Sequence, residues 1–177
     1  MQKNILVTGA HKGTETIEIL RRTSIPVLVH KYDIKKNERP FERPILVTDW
    51  SSPCERAIEY LIALKDILKN VVVVHVIAEK SIKGLNRTEI QKIEKENKKR
   101  MEEVCDTLST EGISSEFHLY IGEVVEQIKN AISEHNISMV VAGTTGKGAW
   151  RARWLGSVSR KLVQDSQLPI LLVPKAG

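Results

Sequence analysis

A glycine-rich stretch spans residues 143–159 and ends in a Gly-Ser pair that precedes a helical pattern. Gly143 directly follows a strand-like apolar run at residues 138–142. The first N–H groups of a helix lack intrahelical partners and carry partial positive charge, so they attract anions. Glycine also lets the backbone approach an anion closely. The stretch therefore predicts a phosphate-binding loop between a strand and a helix.

Two common nucleotide-binding loops do not fit this stretch. A Walker loop has Ser or Thr after its lysine, whereas Lys147 is followed by Gly148. The dinucleotide pattern G-x-G-x-x-G fails because Arg151 stands where its third glycine belongs. A structural turn in a protein that binds nothing there remains an alternative.

A carboxylate, Asp49, follows a second apolar run at residues 44–48. Ligands of open α/β sheets bind beyond the carboxyl ends of the strands. If the runs at 44–48 and 138–142 form neighbouring strands, Asp49 and the glycine loop face one crevice. That crevice suits a nucleotide, with Asp49 on the base or sugar and the loop on the phosphates. Taken alone, Asp49 is equally an ordinary turn residue before a helix.

From Pro44 onward, strand and helix patterns alternate. Strand-like runs occupy 44–48, 71–77, 116–121, 138–142 and 168–173, and helical patterns occupy 52–68, 88–109, 123–135 and 157–165. Ser52 and Thr88 are the predicted N-caps of the first two helices. Such alternation favours a parallel sheet with helices on both faces. We predict an α/β fold with a doubly wound, five-stranded parallel sheet, whose third, more polar strand lies at an edge.

A segment near the start of the chain is similar in sequence to one near its end. Residues 13–29 match residues 156–172, because each segment runs from a glycine to a proline 13 positions later, followed by an apolar run. Gly9 and Gly13 are only 4 positions apart, so this copy lacks the long loop. A chance match between Val- and Ile-rich strands is the alternative.

This sequence similarity predicts that the chain is divided into three segments. Residues 1–32 would form a partial β-α-β copy, 33–43 a charged linker, and 44–177 a complete nucleotide-binding domain. A β-α-β fragment cannot bury its faces alone, so it must dock on the main sheet or on a second chain.

Composition narrows the class of protein. The chain has 177 residues, of which 41% are hydrophobic and 28% charged, as in soluble globular proteins. No apolar run approaches the roughly 20 residues of a membrane span, and Met1 leads almost directly into a strand-like run without a secretory signal. Cys54 and Cys105 lack metal or redox spacing, so we expect reduced thiols in a cytoplasmic protein.

The net charge of +5 does not indicate nucleic-acid binding. Residues 1–43 hold 9 Lys+Arg against 5 Asp+Glu, whereas residues 44–177 hold 18 against 17. The main domain is nearly neutral, and its densest basic run, 92–100, is interleaved with glutamates at helical spacing. We therefore expect neither a nucleic acid nor a membrane as partner.

The chain from Pro44 resembles the universal stress protein family, chiefly its ATP-binding branch. The motif that carries the resemblance is Gly143-x2-Gly146-x9-Gly156-Ser157, supported by the segment from Val47 to Ser51 and by His75-Val76. The resemblance agrees with a sheet order of 3-2-1-4-5 for the five predicted strands. The first residues look like the last third of a second such domain, as in a truncated tandem.

The resemblance implies an adenine pocket, a ribose side and a phosphate loop. These are, respectively, Val47, Thr48, Asp49 and Val76; Ala142 and Gly143; and Gly146, Gly156, Ser157, Val158 and Ser159. The implied ligand is ATP or another adenine nucleotide, with Mg²⁺ as a companion, and no protein metal ligands are assigned. Trp50 is bulkier than the family's usual residue and is expected to crowd the base.

Catalysis has little support in the sequence. The five histidines are scattered, and none forms an acid–base pair with the loop by spacing; His75, in an apolar strand, is interpreted as a satisfied core residue. We expect a nucleotide-switched regulatory or stress-response protein with at most slow ATP hydrolysis. The alternative is a nucleotide-independent interaction module that dimerises through its last strand and N-terminal fragment. For either function we expect a homodimer in which the N-terminal fragment lies at or beside the interface.

Overall fold

The fold is seen in a computed structural model, which describes residues 4–9, 14–30, 39–145 and 155–175. Gly146 and most of the glycine loop lie outside these residues. Within the described ranges, no helix is long and apolar enough to cross a membrane.

Strands and helices alternate over most of the chain. The strands are β1 (Leu6–Gly9), β2 (Val27–His30), β3 (Pro44–Thr48), β4 (Asn70–Ala78), β5 (Ser114–Gly122), β6 (Met139–Gly143) and β7 (Ile170–Val173). The helices are α1 (Thr14–Arg22), α2 (Ser52–Ala63), α3 (Glu79–Ile82), α4 (Arg87–Thr110), α5 (Val124–Glu134) and α6 (Ser157–Asp165), with a 3₁₀ turn at Lys65–Ile67. The last helix has the predicted bounds.

The strands form one seven-stranded sheet in the order β1-β2-β7-β6-β3-β4-β5. Within the sheet, the five strands from β3 to β7 pair with one another in parallel. Their order, counted from β3 as the first, is the predicted 3-2-1-4-5, with the polar strand β5 at an edge. The sheet is wider than predicted because β1 and β2 extend it.

The N-terminal segment joins the sheet through an antiparallel contact. Strand β2 pairs in parallel with β1 and antiparallel with β7, with Leu28 opposite Leu171 at the centre of the second pairing. Strand β7 therefore has neighbours of its own chain on both sides. In this arrangement the β7 edge is paired within the chain, so a homodimer, which stays a prediction, would need another surface.

Side chains alternate between two faces of the sheet, and each face is covered by helices. One core layer combines Ile45, Val74 and Ile170 with apolar residues of α1, α5 and α6. The other combines Leu46, Val73 and other strand residues with side chains of α2 and α4. The doubly wound architecture is thus confirmed.

The helix starts differ slightly from prediction. Helix α4 begins after Asn86, whose side chain accepts from the Glu89 backbone N–H while Glu89 reciprocates, a complete capping box. Helix α2 begins after Ser51, which makes no capping contact with its side chain. The predicted caps Ser52 and Thr88 are therefore wrong by one and two residues.

Candidate functional site

The start of α6 is fastened to the end of β6. The Thr144 N–H donates to the Val173 carbonyl over 2.9 Å, and the Gly156 N–H donates to the Thr144 carbonyl over 2.7 Å. The Ser159 hydroxyl donates to the Gly143 carbonyl, also over 2.7 Å. The two ends of the predicted phosphate loop are thereby held together.

The first turn of α6 is suited to an anion. Gly156 occupies the N-cap and offers no side chain to the helix N–H groups, the first turn holds no acidic residue, and Ser157 is exposed. The unpaired N–H groups of an uncapped first turn, together with the helix dipole, favour a bound negative charge. The phosphate-binding role expected for Gly156 to Ser159 stays a prediction.

The end of β3 forms a tight polar turn. The Asp49 carboxylate accepts from the Ser51 N–H over 3.1 Å, and the Thr48 hydroxyl accepts from the Trp50 N–H over 3.1 Å. Trp50 takes a left-handed backbone conformation with φ of 62°. These contacts hold the half-buried Asp49 at the carboxyl end of β3.

The two turns meet where β3 and β6 lie side by side. The Ser51 hydroxyl donates to the Thr145 carbonyl over 3.3 Å. A Cβ atom on Gly143 would lie 2.8 Å from Cβ of Pro53, so only glycine fits there without a shift of α2. The predicted neighbourhood of Asp49 and the glycine loop, which requires β3 to pair with β6, is confirmed for the described residues.

Buried hydroxyl groups are concentrated around this junction. Of the seven buried polar side chains among the described residues, five lie here: Thr48, Ser51, Thr144, Thr145 and Ser159. Ser51, Thr144 and Thr145 were not among the predicted site residues. Their signal in the sequence is a hydroxyl residue within a few positions of a strand's carboxyl end.

A cavity of about 670 Å³ opens beside Asp49, between the ends of β3 and β4 and helix α4. Its wall includes Asp49, Trp50, His75 and Val76, with polar side chains from α4 on the opposite side. The volume lies within the range usual for small-molecule sites. Asp49 and Val76, two of the expected adenine contacts, therefore share one cavity.

Trp50 forms a fixed wall of that cavity. Its indole N–H donates to Oδ1 of Asn97 over 2.7 Å, its ring centroid lies 5.1 Å from that of His75, and the Arg100 guanidinium lies 5.2 Å from the ring. The side chain is thus held against α4 by a hydrogen bond, a ring contact and a cation–π contact.

His75 is satisfied within the fold, as expected. Its Nδ1 lies 2.8 Å from the Thr48 carbonyl oxygen, which can only accept, so Nδ1 carries a proton in this contact. Unlike an interior core residue, however, His75 is half-buried and lies on the cavity wall.

Cys54 packs beneath the Asp49 turn. Burial raises the pKa of the Cys54 thiol, and the negative charge of Asp49 raises this pKa further. The sulfur lies 3.3 Å from Oδ1 of Asp49. Because thiolate formation is disfavoured, this cysteine has the character of a packing residue, not of a nucleophile.

The structure gathers most of the predicted site. Val47 and Ala142 are register partners on neighbouring strands, Gly143 ends β6, and Val76 lies near the end of β4. Val158 and Ser159 lie in the first turn of α6 with Ser157. Gly146, with Trp150, Arg151, Arg153 and Trp154, lies outside the described residues.

The main domain matches a known family. A model of the universal stress protein family matches residues 41–174. Universal stress protein MJ0577 of Methanocaldococcus jannaschii is 25% identical over 155 residues, covering 76% of this chain and 96% of that protein. Its solved structure superposes with a TM-score of 0.68 at 26% identity, covering 75% of this chain and 95% of that one.

Two further solved structures share the fold. A universal stress protein from Archaeoglobus fulgidus DSM 4304 has a TM-score of 0.66 at 22% identity, covering 97% of this chain and 61% of that longer one. A universal stress protein in complex with cAMP has a TM-score of 0.58 at 18% identity, covering 77% of this chain and 99% of that one. From the extent of the family match and the shared fold, the chain belongs to the universal stress protein family.

Proposed function

We propose that the chain binds an adenine nucleotide, ATP or a relative of it, and that the bound nucleotide switches a regulatory or stress-response activity. The observation that carries this proposal is the pairing of an uncapped α6 N-terminus with the Asp49 turn across the β3–β6 junction. A first turn that attracts phosphate and a carboxylate that accepts from base or sugar suit the two ends of one nucleotide.

The cavity beside Asp49 supports an adenine at the base end. It combines an apolar strand end at Val76 and Ile77 with the aromatic ring of Trp50 and the polar side chain of Asn97. Apolar walls with a few placed polar groups are typical of small-ligand sites. The cAMP complex of a fold relative adds support, because cAMP is an adenine nucleotide.

The nucleotide is proposed as a ligand and not as a rapidly consumed substrate. The residues at the junction are hydroxyls, glycines and one carboxylate, and His75, at the cavity wall, already binds the Thr48 carbonyl. Mg²⁺ is a natural companion of the phosphates, which supply its oxygen ligands. Slow hydrolysis at most is expected.

Calorimetric titration with ATP and Mg²⁺ tests the proposal. We expect saturable binding that Asp49→Ala and Gly156→Val both weaken, since the first removes an acceptor and the second crowds the start of α6. Asp66→Ala, at an exposed position in the 3₁₀ turn, is the matched control and should bind as the unmodified chain does. The absence of both binding heat and a thermal shift would refute the proposal.

A second candidate function is a nucleotide-independent interaction module with the N-terminal segment at its contact surface. The observation that favours it is β1, the outermost described strand on that side of the sheet, where Leu6 and Val7 are 42% and 64% exposed. Unpaired strand edges are templates for association.

A homodimer would then use β1 instead of β7. Light scattering tests this version: a monomer at every concentration would exclude the homodimer.

A further inference from the structure

Three metal-ligating side chains meet on one side of the edge strand β5. Glu116 and His118 lie two positions apart on β5, so both face the same side of the sheet, and His135 follows the end of α5. One ligand atom from each lies within 4.8 Å of the others. None of the three is deeply buried, and their side chains are 40%, 36% and 16% exposed, respectively.

The ligand atoms lie close together, although the two imidazole rings do not yet face a common point. Nε2 of His118 lies 3.6 Å, and Nδ1 of His135 3.9 Å, from Oε1 of Glu116. These separations exceed a hydrogen bond and are near those of two ligands on one metal ion. The two rings stack with their centroids 3.9 Å apart, so they must turn apart before both nitrogens face one ion.

His118 brings an unused nitrogen to this group. Its Nε2 is shielded from solvent and has no hydrogen-bond partner among the described residues. A buried polar atom without a partner costs free energy, and the site of a missing ion is one explanation for such an atom.

A hydrogen-bond chain sets the tautomer of His135. The Tyr120 hydroxyl donates to Glu134 over 2.5 Å and lies 3.0 Å from Nε2 of His135. Because the single hydroxyl proton goes to Glu134, Nε2 of His135 must donate to the Tyr120 oxygen. In the neutral ring Nδ1 then carries a lone pair on the side of Glu116 and His118. Metal-binding histidines are commonly oriented by such a second hydrogen bond.

Arg43 is the group that opposes an ion at this place. Its Nη2 lies 2.6 Å from Oε1 of Glu116, so a positive charge already neutralises the carboxylate. The two imidazoles approach this same oxygen, so an ion must either displace Arg43 from Oε1 or bind the second carboxylate oxygen. Arg43 should therefore weaken binding without preventing it.

We propose that Glu116, His118 and His135 form a binding site for a divalent transition-metal ion, with Zn²⁺ as the ion that best suits two imidazoles and a carboxylate. Three protein ligands leave the fourth tetrahedral position to water. The ion would tie the middle of β5 to the end of α5. The site is independent of the proposed nucleotide, because β4 separates β5 from the β3–β6 junction.

Titration of the metal-free chain with Zn²⁺, followed by calorimetry and thermal unfolding, tests the site. We expect one saturable event per chain and a higher melting temperature, and Co²⁺ should give the visible absorption of a tetrahedral site. A chain that binds neither ion saturably would overturn the proposal without the need for any variant.

Variants locate the site. His118→Asn and His135→Asn should each abolish the saturable event and the Co²⁺ spectrum, whereas His30→Asn, at an exposed position on β2, should leave both unchanged. Circular dichroism identifies any variant that fails to fold. Binding retained by a folded His118→Asn, His135→Asn double variant would refute the assignment.

Two neighbouring residues give a sharper test. Tyr120→Phe removes the partner that orients His135 and should weaken Zn²⁺ binding about tenfold. Arg43→Gln removes the competing charge and should tighten binding, which no loss of structure would imitate. Weaker binding by a folded Arg43→Gln would contradict the proposed role of the Glu116 carboxylate.

Discussion

Among single residues, Gly143 lies too close to helix α2 to carry a side chain without a shift. A side chain there would meet Cβ of Pro53 at 2.8 Å and the sulfur of Cys54 at 3.3 Å. These atoms belong to the first turn of α2, which packs across the end of β6. The close approach is what places the Asp49 turn beside the start of α6.

We expect Gly143→Ala to destabilise the chain by about 1–3 kcal/mol, because α2 must shift to admit the methyl group. ATP binding should weaken as well, since the shift separates the two halves of the site. Urea unfolding and calorimetry measure the two effects. Gly84→Ala is the control for binding, because its added Cβ meets nothing within 4 Å and the strain from its left-handed φ of 85° lies outside the β3–β6 junction. Unchanged stability of Gly143→Ala would contradict the packing described.

The pH dependence of stability should reflect His135. Burial lowers the pKa of His135, and the nearby positive charge of His118 lowers it further, while Glu116 and Glu134 act in the opposite direction. With a pKa lower in the folded than in the unfolded chain, the proton is bound preferentially by the unfolded chain.

The contribution of His135 to the free energy of unfolding should therefore be complete above the ordinary histidine pKa of about 6.5. It should decline as the pH falls below that value. Urea unfolding of metal-free protein between neutral pH and pH 5 measures the decline. His135→Asn should make the curve flatter, and an equally steep curve in that variant would show that other groups cause it.

The sequence located single residues correctly where the signal was local. Asp49 follows β3 and Gly156 precedes α6, as the pattern predicted, whereas their roles in binding stay predictions. His118 and His135 were not paired, because their meeting depends on how α5 packs against β5. Ser51 and Thr145 were missed for the same reason, since the contact of the Ser51 hydroxyl with the Thr145 carbonyl joins segments far apart in the chain.

Among the elements, the helix starts show how local competition decides a cap. Ser51 stands at the N-cap of α2, yet its hydroxyl donates to the Thr145 carbonyl. Helix α4 is capped by Asn86, whose side chain forms the reciprocal box with Glu89, although Thr88 and Gln91 have the same spacing. The sequence pattern predicted both helices, but spacing alone did not decide between the possible caps.

Asn86→Ala should cost about 1 kcal/mol of stability, the usual loss for an N-cap side chain. Asn86→Asp is the matched control, because aspartate also accepts from the Glu89 N–H and should retain most of the stability. Urea unfolding of the two variants side by side measures the difference. Equal losses in both would argue against the capping box.

At the scale of the whole molecule, the order of the five main strands was predictable because alternating strands and helices leave few allowed connections. The position of the N-terminal segment was not predictable from the sequence, because docking on its own chain or on a second chain buries the same apolar faces. In the structure Val27 and Val29 are fully buried beside β7.

Deleting residues 1–32 should uncover the edge of β7 and the apolar side chains that β2 and α1 cover. We expect the truncated chain to melt at a lower temperature and to self-associate, because an unpaired apolar edge is a template for strand addition. Calorimetry and light scattering measure the two effects. A monomeric truncated chain of unchanged melting temperature would show that the segment is dispensable.

The contact between β2 and β7 does not depend on protein concentration. Leu28 and Leu171 occupy equivalent positions in the two similar segments, 13–29 and 156–172. They lie opposite each other at the centre of the contact, so the pairing has local two-fold character. In separate chains such a contact would dissociate on dilution. Here both strands belong to one polypeptide, and the connecting segment sets their effective concentration. The edge of β7 therefore stays covered however scarce the protein is.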